Sequence, residues 1–151
     1  MKNKNTFSSK VREKGFSLME ALIALFILVI MMNITVTSFL NLAQKYRLKK
    51  AVWEINSRLN YARYRAIFDG IKVRLRFDSR SYTIEIYDEN QKKWKKEKEC
   101  FLNGVTLQAN NTPTFHPGGT ISNLASIYIF NSWGKYKITT AISGRIKTVQ
   151  L

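Results

Sequence analysis

Apolar and polar positions divide the chain into three successive patterns. From Ala21 to Met32 no residue is polar, and Glu20 is the only charge between Phe16 and Leu40. As a helix, residues 16–36 span about 30 Å, the thickness of a bilayer core. Neither Gly nor Pro occurs from Phe16 to Asp69, so nothing inside that stretch ends a helix. One continuous helix there would be about 80 Å long, far beyond what an ordinary globular domain uses. Its second half has a different character. Leu48, Val52, Ile55, Leu59, Ala62 and Ala66 recur at alternating spacings of four and three, which makes one apolar stripe. Lys45, Arg47, Lys49, Lys50, Glu54, Arg58, Arg63 and Arg65 take the other faces. The first half, about 16–40, needs lipid or other apolar helices around it. The second half, about 41–69, can cover a domain of its own chain. Gly70, following Asp69, is the expected stop.

After Gly70 the period becomes two. Val73, Leu75 and Phe77 alternate with Lys72, Arg74 and Arg76; Asp78 to Ser81 reads as a turn; Tyr82, Ile84 and Ile86 then alternate with Thr83, Glu85 and Tyr87. This predicts a β-hairpin with one buried face and one wet face. Residues 88–99 read as a charged connection around Trp94, and Leu102 to Leu107 as a short strand. Asn110 to Pro113 and His116 to Gly119 are predicted loops. Ser126–Asn131 is a strand with Ile127 and Ile129 on one face. Trp133-Gly134 turns the chain into a strand carrying Tyr136, Ile138, Thr140 and Ile142. After a turn at Ser143-Gly144, Arg145–Leu151 is the last strand, with Ile146 and Val149. The fold class is therefore α+β, a long N-terminal helix followed by an antiparallel sheet domain over residues 70–151.

Composition adds little to that outline, and charge adds a question. The single cysteine, Cys100, excludes an intrachain disulfide and a four-cysteine metal site. The formal net charge is +15. Residues 70–151 alone hold 13 basic and 6 acidic residues. Such a balance suits nucleic acid, an anionic membrane surface, an acidic partner or simply a solvated lysine-rich surface.

The N-terminus admits three readings. Residues 1–15 are polar and basic, with Lys2, Lys4, Lys10, Arg12 and Lys14 against Glu13. They could flank an uncleaved membrane anchor. They could open a secretory signal cut after its apolar core, where Val36-Thr37-Ser38 is a poor cleavage site. Or they could be a leader cut before the apolar segment. Glu20 favours the third reading. A carboxylate deep in a membrane helix costs about 2.5–3.5 kcal/mol, and a plain anchor has no use for it. A cut after Gly15 makes Phe16 a new cationic N-terminus about one turn away, and a paired charge is far less costly than a lone one.

Gly15-Phe16-Ser17-Leu18-Met19-Glu20 and the apolar run behind it resemble the type III signal of type IV pilins and type II secretion pseudopilins. The resemblance implies a pilin-like fold. It implies that a prepilin peptidase cuts between Gly15 and Phe16 and methylates Phe16, and that Glu20 sets the register of one subunit against the next. It also implies other pilin or pseudopilin subunits as partners through the N-terminal helix. The chain would sit as a single pass in the bacterial inner membrane with its C-terminal domain outside the cytoplasm, then in a cell-surface or periplasmic filament. Basic residues lie on both sides of the apolar segment, so the cytoplasmic leader rests on the resemblance rather than on the charge count.

Leu59 to Ile67, Gly70, Val73 to Phe77, Phe115 to Thr120 and Ser143 to Ile146 resemble the corresponding segments of GspH/FimT-type minor pilins. In the DNA-uptake members of that group a C-terminal Gly-Arg-x-Arg motif is implicated in DNA contact. Here it reads Gly144-Arg145-Ile146-Lys147, with a Lys that keeps the charge and loses the planar fork. Arg145 and Lys147 are the candidate DNA contacts, and phosphate contact survives that change better than base contact. Lys135 and Lys137 on the preceding strand, and the lysines around Trp94, add to the basic surface.

No catalytic constellation is legible. His116 is the only histidine and lies in a Pro-Gly loop; Gly118-Gly119 lacks the Gly-Lys-Ser/Thr of a phosphate loop. Cys100 reads as core or half-buried, and the strand aromatics Phe77, Tyr82 and Phe130 as core. The expectation is a structural subunit of a type IV pilus or type II secretion pseudopilus, with no enzyme activity, cofactor or metal. The alternatives are a DNA-binding minor pilin of a competence pilus, and an uncleaved single-pass anchor carrying an unrelated β domain.

Overall fold

The computed structural model describes residues 17–151 and, of residues 34–41, the backbone alone. Gly15 and Phe16, and with them the expected cleavage site, lie outside the described residues. The chain divides into two units, residues 1–38 and residues 39–151.

In the first unit the helix α1 (Leu18–Asp69) begins. Its opening turn is closed by the Ser17 carbonyl, which accepts from the amides of Glu20 at 3.0 Å and Ala21 at 3.1 Å. Glu20 lies in that first turn, where the partial positive charge of the helix start favours a carboxylate. The side chains from Leu18 to Met32 are exposed on every face of the helix. Among the described residues no helix is long and apolar enough to cross a membrane. The helical run of described side chains, 18–33, spans about 24 Å, short of a bilayer core.

In the second unit the expected stripe becomes the spine of the core. Leu48, Ile55, Leu59, Ala62 and Ala66 are fully buried, and Val52 nearly so. Gly70 ends α1 in the left-handed region, φ 66°, which only a residue without Cβ enters freely. Nine strands follow among the described residues. They are β1 (Val73–Phe77), β2 (Ser81–Asp88), β3 (Lys93–Phe101), β4 (Thr106–Ala109), β5 (Thr114–Phe115), β6 (Ile121–Ser122), β7 (Ser126–Asn131), β8 (Gly134–Thr140) and β9 (Ile146–Gln150). One sheet has the order β3-β2-β1-β5-β6, the other β4-β7-β8-β9, and all pairings are antiparallel. Val73, Leu75, Tyr82, Ile84 and Phe115 of the first sheet share one core with Leu107, Ile127, Ile129 and Ile138 of the second and with the α1 stripe.

Polar links fix α1 to both sheets. The Tyr82 hydroxyl of β2 donates to Glu54 Oε1 at 2.8 Å and accepts from Arg58 Nε at 3.1 Å. Asn131 Nδ2, at the end of β7, donates to the Gln44 carbonyl at 2.9 Å. Burial first, then the bonds to Cys100 and Glu54, push the Tyr82 phenol well above its usual range. The Arg58 guanidinium is raised too, chiefly by its bond to Tyr82.

Several sequence expectations are corrected. Residues 93–101 form a strand rather than a connection, because β2 offers them a ladder from Ser81↔Phe101 to Asp88↔Lys93, shifted once where Ile84 faces Lys98 and Glu85 faces Lys96. Lysines suit such an edge strand, since their charge deters further pairing. The hairpin has no wet face along the start of β2: Thr83 and Glu85 are buried, because β1 and β3 flank β2 and their long basic side chains close over it. Glu85 is held by Arg74 and Arg76 of β1. The strand expected over 102–107 starts only at Thr106, after a turn at Asn103-Gly104 with Gly104 at φ 74°. Ile142 lies past the end of β8, exposed in the turn. Val149 sits opposite Lys137 on the outer face, while Ile146 sits opposite Thr140 on the inner one.

Candidate functional site

The segments that carry the minor-pilin resemblance converge on one side chain. Arg63 leaves α1 and donates through Nη1 to the Gly144 carbonyl at 3.1 Å and through Nη2 to the Ser143 carbonyl at 3.4 Å. Gly144 has φ 81°, and a Cβ there would lie 2.5 Å from the Arg63 guanidinium carbon and 2.6 Å from the Gly119 carbonyl oxygen. Gly119, φ 78°, faces Arg63 and Ile67 in turn. The helix end, the His116–Thr120 loop and the Ser143–Ile146 turn therefore pack through two glycines and one arginine. His116 Nε2 lies 2.8 Å from Ser122 Oγ, which ties the same loop to β6.

This packing fixes the turn that presents Arg145. Ala141 and Gly144 close the turn on themselves, and the Ala141 amide donates to the Arg145 carbonyl at 2.9 Å. Arg145 and Lys147 are both exposed, with Ile146 half-buried between them. They line one shallow cleft of about 250 Å³ with Thr139, Thr140 and Ala141.

Pairing extends that cleft into a face. Lys147 is opposite Thr139, Val149 opposite Lys137, Lys137 opposite Tyr128, and Lys135 opposite Phe130. Side chains opposite one another share a face of the sheet. The outer face of the second sheet thus carries Tyr128 and Phe130 of β7 beside Lys135, Lys137 and Lys147. Lys135 Nζ lies 4.5 Å from the Tyr128 ring centre and 5.8 Å from that of Phe130; Lys137 Nζ lies 5.5 Å from Tyr128. These are cation–π distances. No Asp or Glu occurs anywhere from Cys100 to Leu151, so no carboxylate of the second sheet opposes these charges.

Sequence reasoning took Phe130 for core and did not single out Tyr128. Phe130 is half-buried on the outer face. The signal was there in Ile127-Tyr128-Ile129-Phe130, where the isoleucines claim the inner face and leave both aromatics outside. Trp94 is the opposite case. It lies on β3 rather than in a basic loop, with Arg74 4.1 Å from its ring centre and Tyr87 against its edge, so its ring is already covered.

The family model of the prokaryotic N-terminal methylation motif matches residues 10–32. The minor pseudopilin EpsH from the type II secretion system of Vibrio cholerae superposes with a TM-score of 0.60 at 17% identity, covering 69% of this chain and 97% of that one. The type IV minor pilin FimU of Pseudomonas aeruginosa superposes with a TM-score of 0.57 at 17% identity, covering 68% of this chain and 88% of that one. The fold is pilin-like. Its helix begins within the methylation motif, and antiparallel strands follow it as the α+β expectation had it, in two sheets rather than one. No curated protein matches the sequence. The pilin-like core is built from a buried helix stripe, which leaves the other faces of this part of α1 and the outer face of the second sheet outside it.

Proposed function

We propose that this chain is a minor subunit of a type IV filament, a pilus or a secretion pseudopilus, and acts as a structural part rather than as an enzyme. In this reading residues 1–15 are a leader, 16–69 a long helix with its apolar half at about 16–40, and 70–151 the β domain. A prepilin peptidase cuts between Gly15 and Phe16 and methylates Phe16. The inner membrane holds the apolar half as a single pass until assembly, when kindred subunits replace lipid around it. Glu20 then pairs with a neighbour's α-amine and fixes the register. The observation that carries this reading is the segment Leu18–Met32, apolar but for Glu20, exposed on every face and lying within the methylation motif. Apolar side chains exposed on every face of a helix need other helices or lipid around them.

The test is the intact mass and N-terminal sequence of the chain co-expressed with a prepilin peptidase. A start at methylated Phe16 is expected, with Glu20→Ala processed normally but poorly incorporated into filaments. An uncut start beside a processed control substrate would leave a plain anchor; normal incorporation of Glu20→Ala would end the register argument.

A second reading is favoured by the outer sheet face, where Lys135 and Lys137 lie over the Tyr128 ring and Lys147 lines a cleft with Arg145. It is a DNA-contacting surface on an uptake pilus, with lysines on phosphates and the rings under bases. Binding of an oligonucleotide to residues 45–151 that weakens with salt and is lost in Arg145→Ala would support it; salt-independent or absent binding would remove it.

A further inference from the structure

No acid occurs between Glu20 and Glu54, and Lys45, Arg47, Lys49 and Lys50 follow one another closely in that interval. At about 100° per residue these four cations span about 200° of the helix surface, and Leu48 buries the middle of the remaining arc. Turns of the β domain continue the arc on both sides. Next to Arg47 is the Asn103-Gly104 turn, so close that a Cβ on Gly104 would lie 2.8 Å from Arg47 Cδ. Arg80 lies across that turn. Arg47 and Lys50 line a hollow of about 380 Å³ with Leu102 and Asn103, and Arg80 lines another of about 330 Å³ with the same two residues. On the other side Lys45 Nζ lies 5.3 Å from the Trp133 ring centre. Asn131 joins the two sides, donating to the Gln44 carbonyl at 2.9 Å and to the Gly104 carbonyl at 3.4 Å. Five cations thus form a collar around one level of α1. Arg47, Lys49, Lys50 and Arg80 are exposed and make no ion pair among the described residues. Two carboxylates border the collar: Glu54, engaged by Tyr82, and Asp78, exposed in the turn that carries Arg80.

We propose that this collar seats the β domain on the phosphate headgroups of an anionic lipid surface, that of the bilayer holding the apolar half of α1. This rests on the membrane step of the filament reading and adds the surface that the domain turns towards the lipid. Three features select that occupant. The charges encircle the helix at one level, which matches a plane that the helix crosses rather than a nucleic-acid rod lying along one face. The level itself fits. The apolar half ends at about residue 40, and Lys45 follows after about 8 Å of helix; residues 45–50 rise about 8 Å more, the order of a headgroup layer. Finally, exposed Tyr46 and half-buried Trp133 stand at the same level, and amphipathic rings of this kind gather at a membrane–water interface. Cations close to the translocated end of a span run against the positive-inside preference, and a bond to anionic headgroups offsets that cost.

The test is hydrogen exchange, read by mass spectrometry, of the full chain in nanodiscs of phosphatidylcholine or of an equal mixture with phosphatidylglycerol. Exchange at residues 102–105 and 131–134 is expected to slow at least about fivefold on the anionic discs, the effect of one interfacial cation, and to recover in high salt. Lys50→Gln with Arg80→Gln, which keeps both stems and leaves Arg47 packed on Gly104, is expected to return exchange to its phosphatidylcholine value; Lys137→Ala with Lys147→Ala is not. Equal exchange on the two discs overturns the inference. So does the same slowing on phosphatidylcholine discs given inorganic phosphate or an oligonucleotide, and so does a slowing that depends on Lys137 and Lys147 instead. Each of these leaves the filament reading standing. An uncut chain that still shows the lipid-dependent slowing sustains the inference and ends the peptidase step of that reading. A chain that neither disc retains overturns both.

Discussion

Arg63 reaches from α1 to the backbone of a turn 81 residues later and donates to the Gly144 carbonyl at 3.1 Å. The turn it holds is the one that carries Arg145. The helix therefore does two jobs with adjacent faces near its end: Ala62 and Ala66 seal the core while Arg63 sets the position of a basic surface. Gly144 is required by that arrangement twice over, by its φ of 81° and by the 2.6 Å that would separate a Cβ from the Gly119 carbonyl oxygen.

Gly144→Ala is expected to destabilise residues 39–151 by about 1–3 kcal/mol, through backbone strain and a contact with main chain that cannot swing away. Arg63→Ala relieves the crowding but releases the turn. Hydrogen exchange read by mass spectrometry should speed up across residues 141–146 in Arg63→Ala, with the α1 core positions unchanged. Unaltered exchange there would mean the turn holds itself.

Tyr82 gives a pH dependence with a definite sign. Its folded pKa is raised by burial, while the unfolded chain ionises near 10. Its contribution is fully present below about pH 10 and is lost as pH rises through that value towards the folded pKa, by about 1.4 kcal/mol per pH unit. Urea unfolding of residues 39–151 between about pH 8 and about pH 11.5 should show the fall, and Tyr82→Phe should flatten it relative to the parent. At neutral pH the same substitution costs about 1–2 kcal/mol, because Glu54 and Arg58 lose their shared partner.

Glu85 is buried to 6% exposure between Arg74 and Arg76. Glu85→Ala should lower stability by about 1–3 kcal/mol, less than for a fully buried pair because both arginines retain contact with water. Glu85→Gln should recover part of the loss by keeping a hydrogen-bond acceptor for Arg74. Equal unfolding midpoints for the Ala and Gln variants would show that shape alone matters there.

The outer sheet face predicts a division of labour in nucleic-acid binding. Lys137→Ala and Lys147→Ala should each weaken an oligonucleotide and reduce the salt slope by about one unit. Tyr128→Ala should weaken single strands by about 1–3 kcal/mol and leave the salt slope unchanged. Fluorescence anisotropy across a salt series separates the two effects. A Tyr128 variant that changes only the salt slope would contradict stacking.

Local pattern carried much of this architecture. A helix needs only uninterrupted spacing and a stop, so Leu48 to Ala66 and Gly70 were enough to place the core stripe and the helix end. Ser126–Asn131 was legible for the same reason, since alternation within one strand names its buried face. The N-terminal methylation motif was legible as a run of neighbouring residues, Gly15 to Glu20 and the apolar stretch behind them. What local pattern could not supply was the company a segment keeps. Lys93 to Phe101 has the composition of a solvated connection, and it became a strand only because β2 presented unpaired backbone groups along its whole length. Thr83 and Glu85 look like a wet face until strands on both sides bring arginine and lysine stems over them. Arg63, Gly119 and Gly144 lie far apart in sequence, and no periodicity links them; the tertiary fold brought them to one point. The exposed aromatics of α1 show the same limit from the other side. Periodicity says which residues share a line along a helix, but only the packed domain decides which line the core takes and which stays exposed.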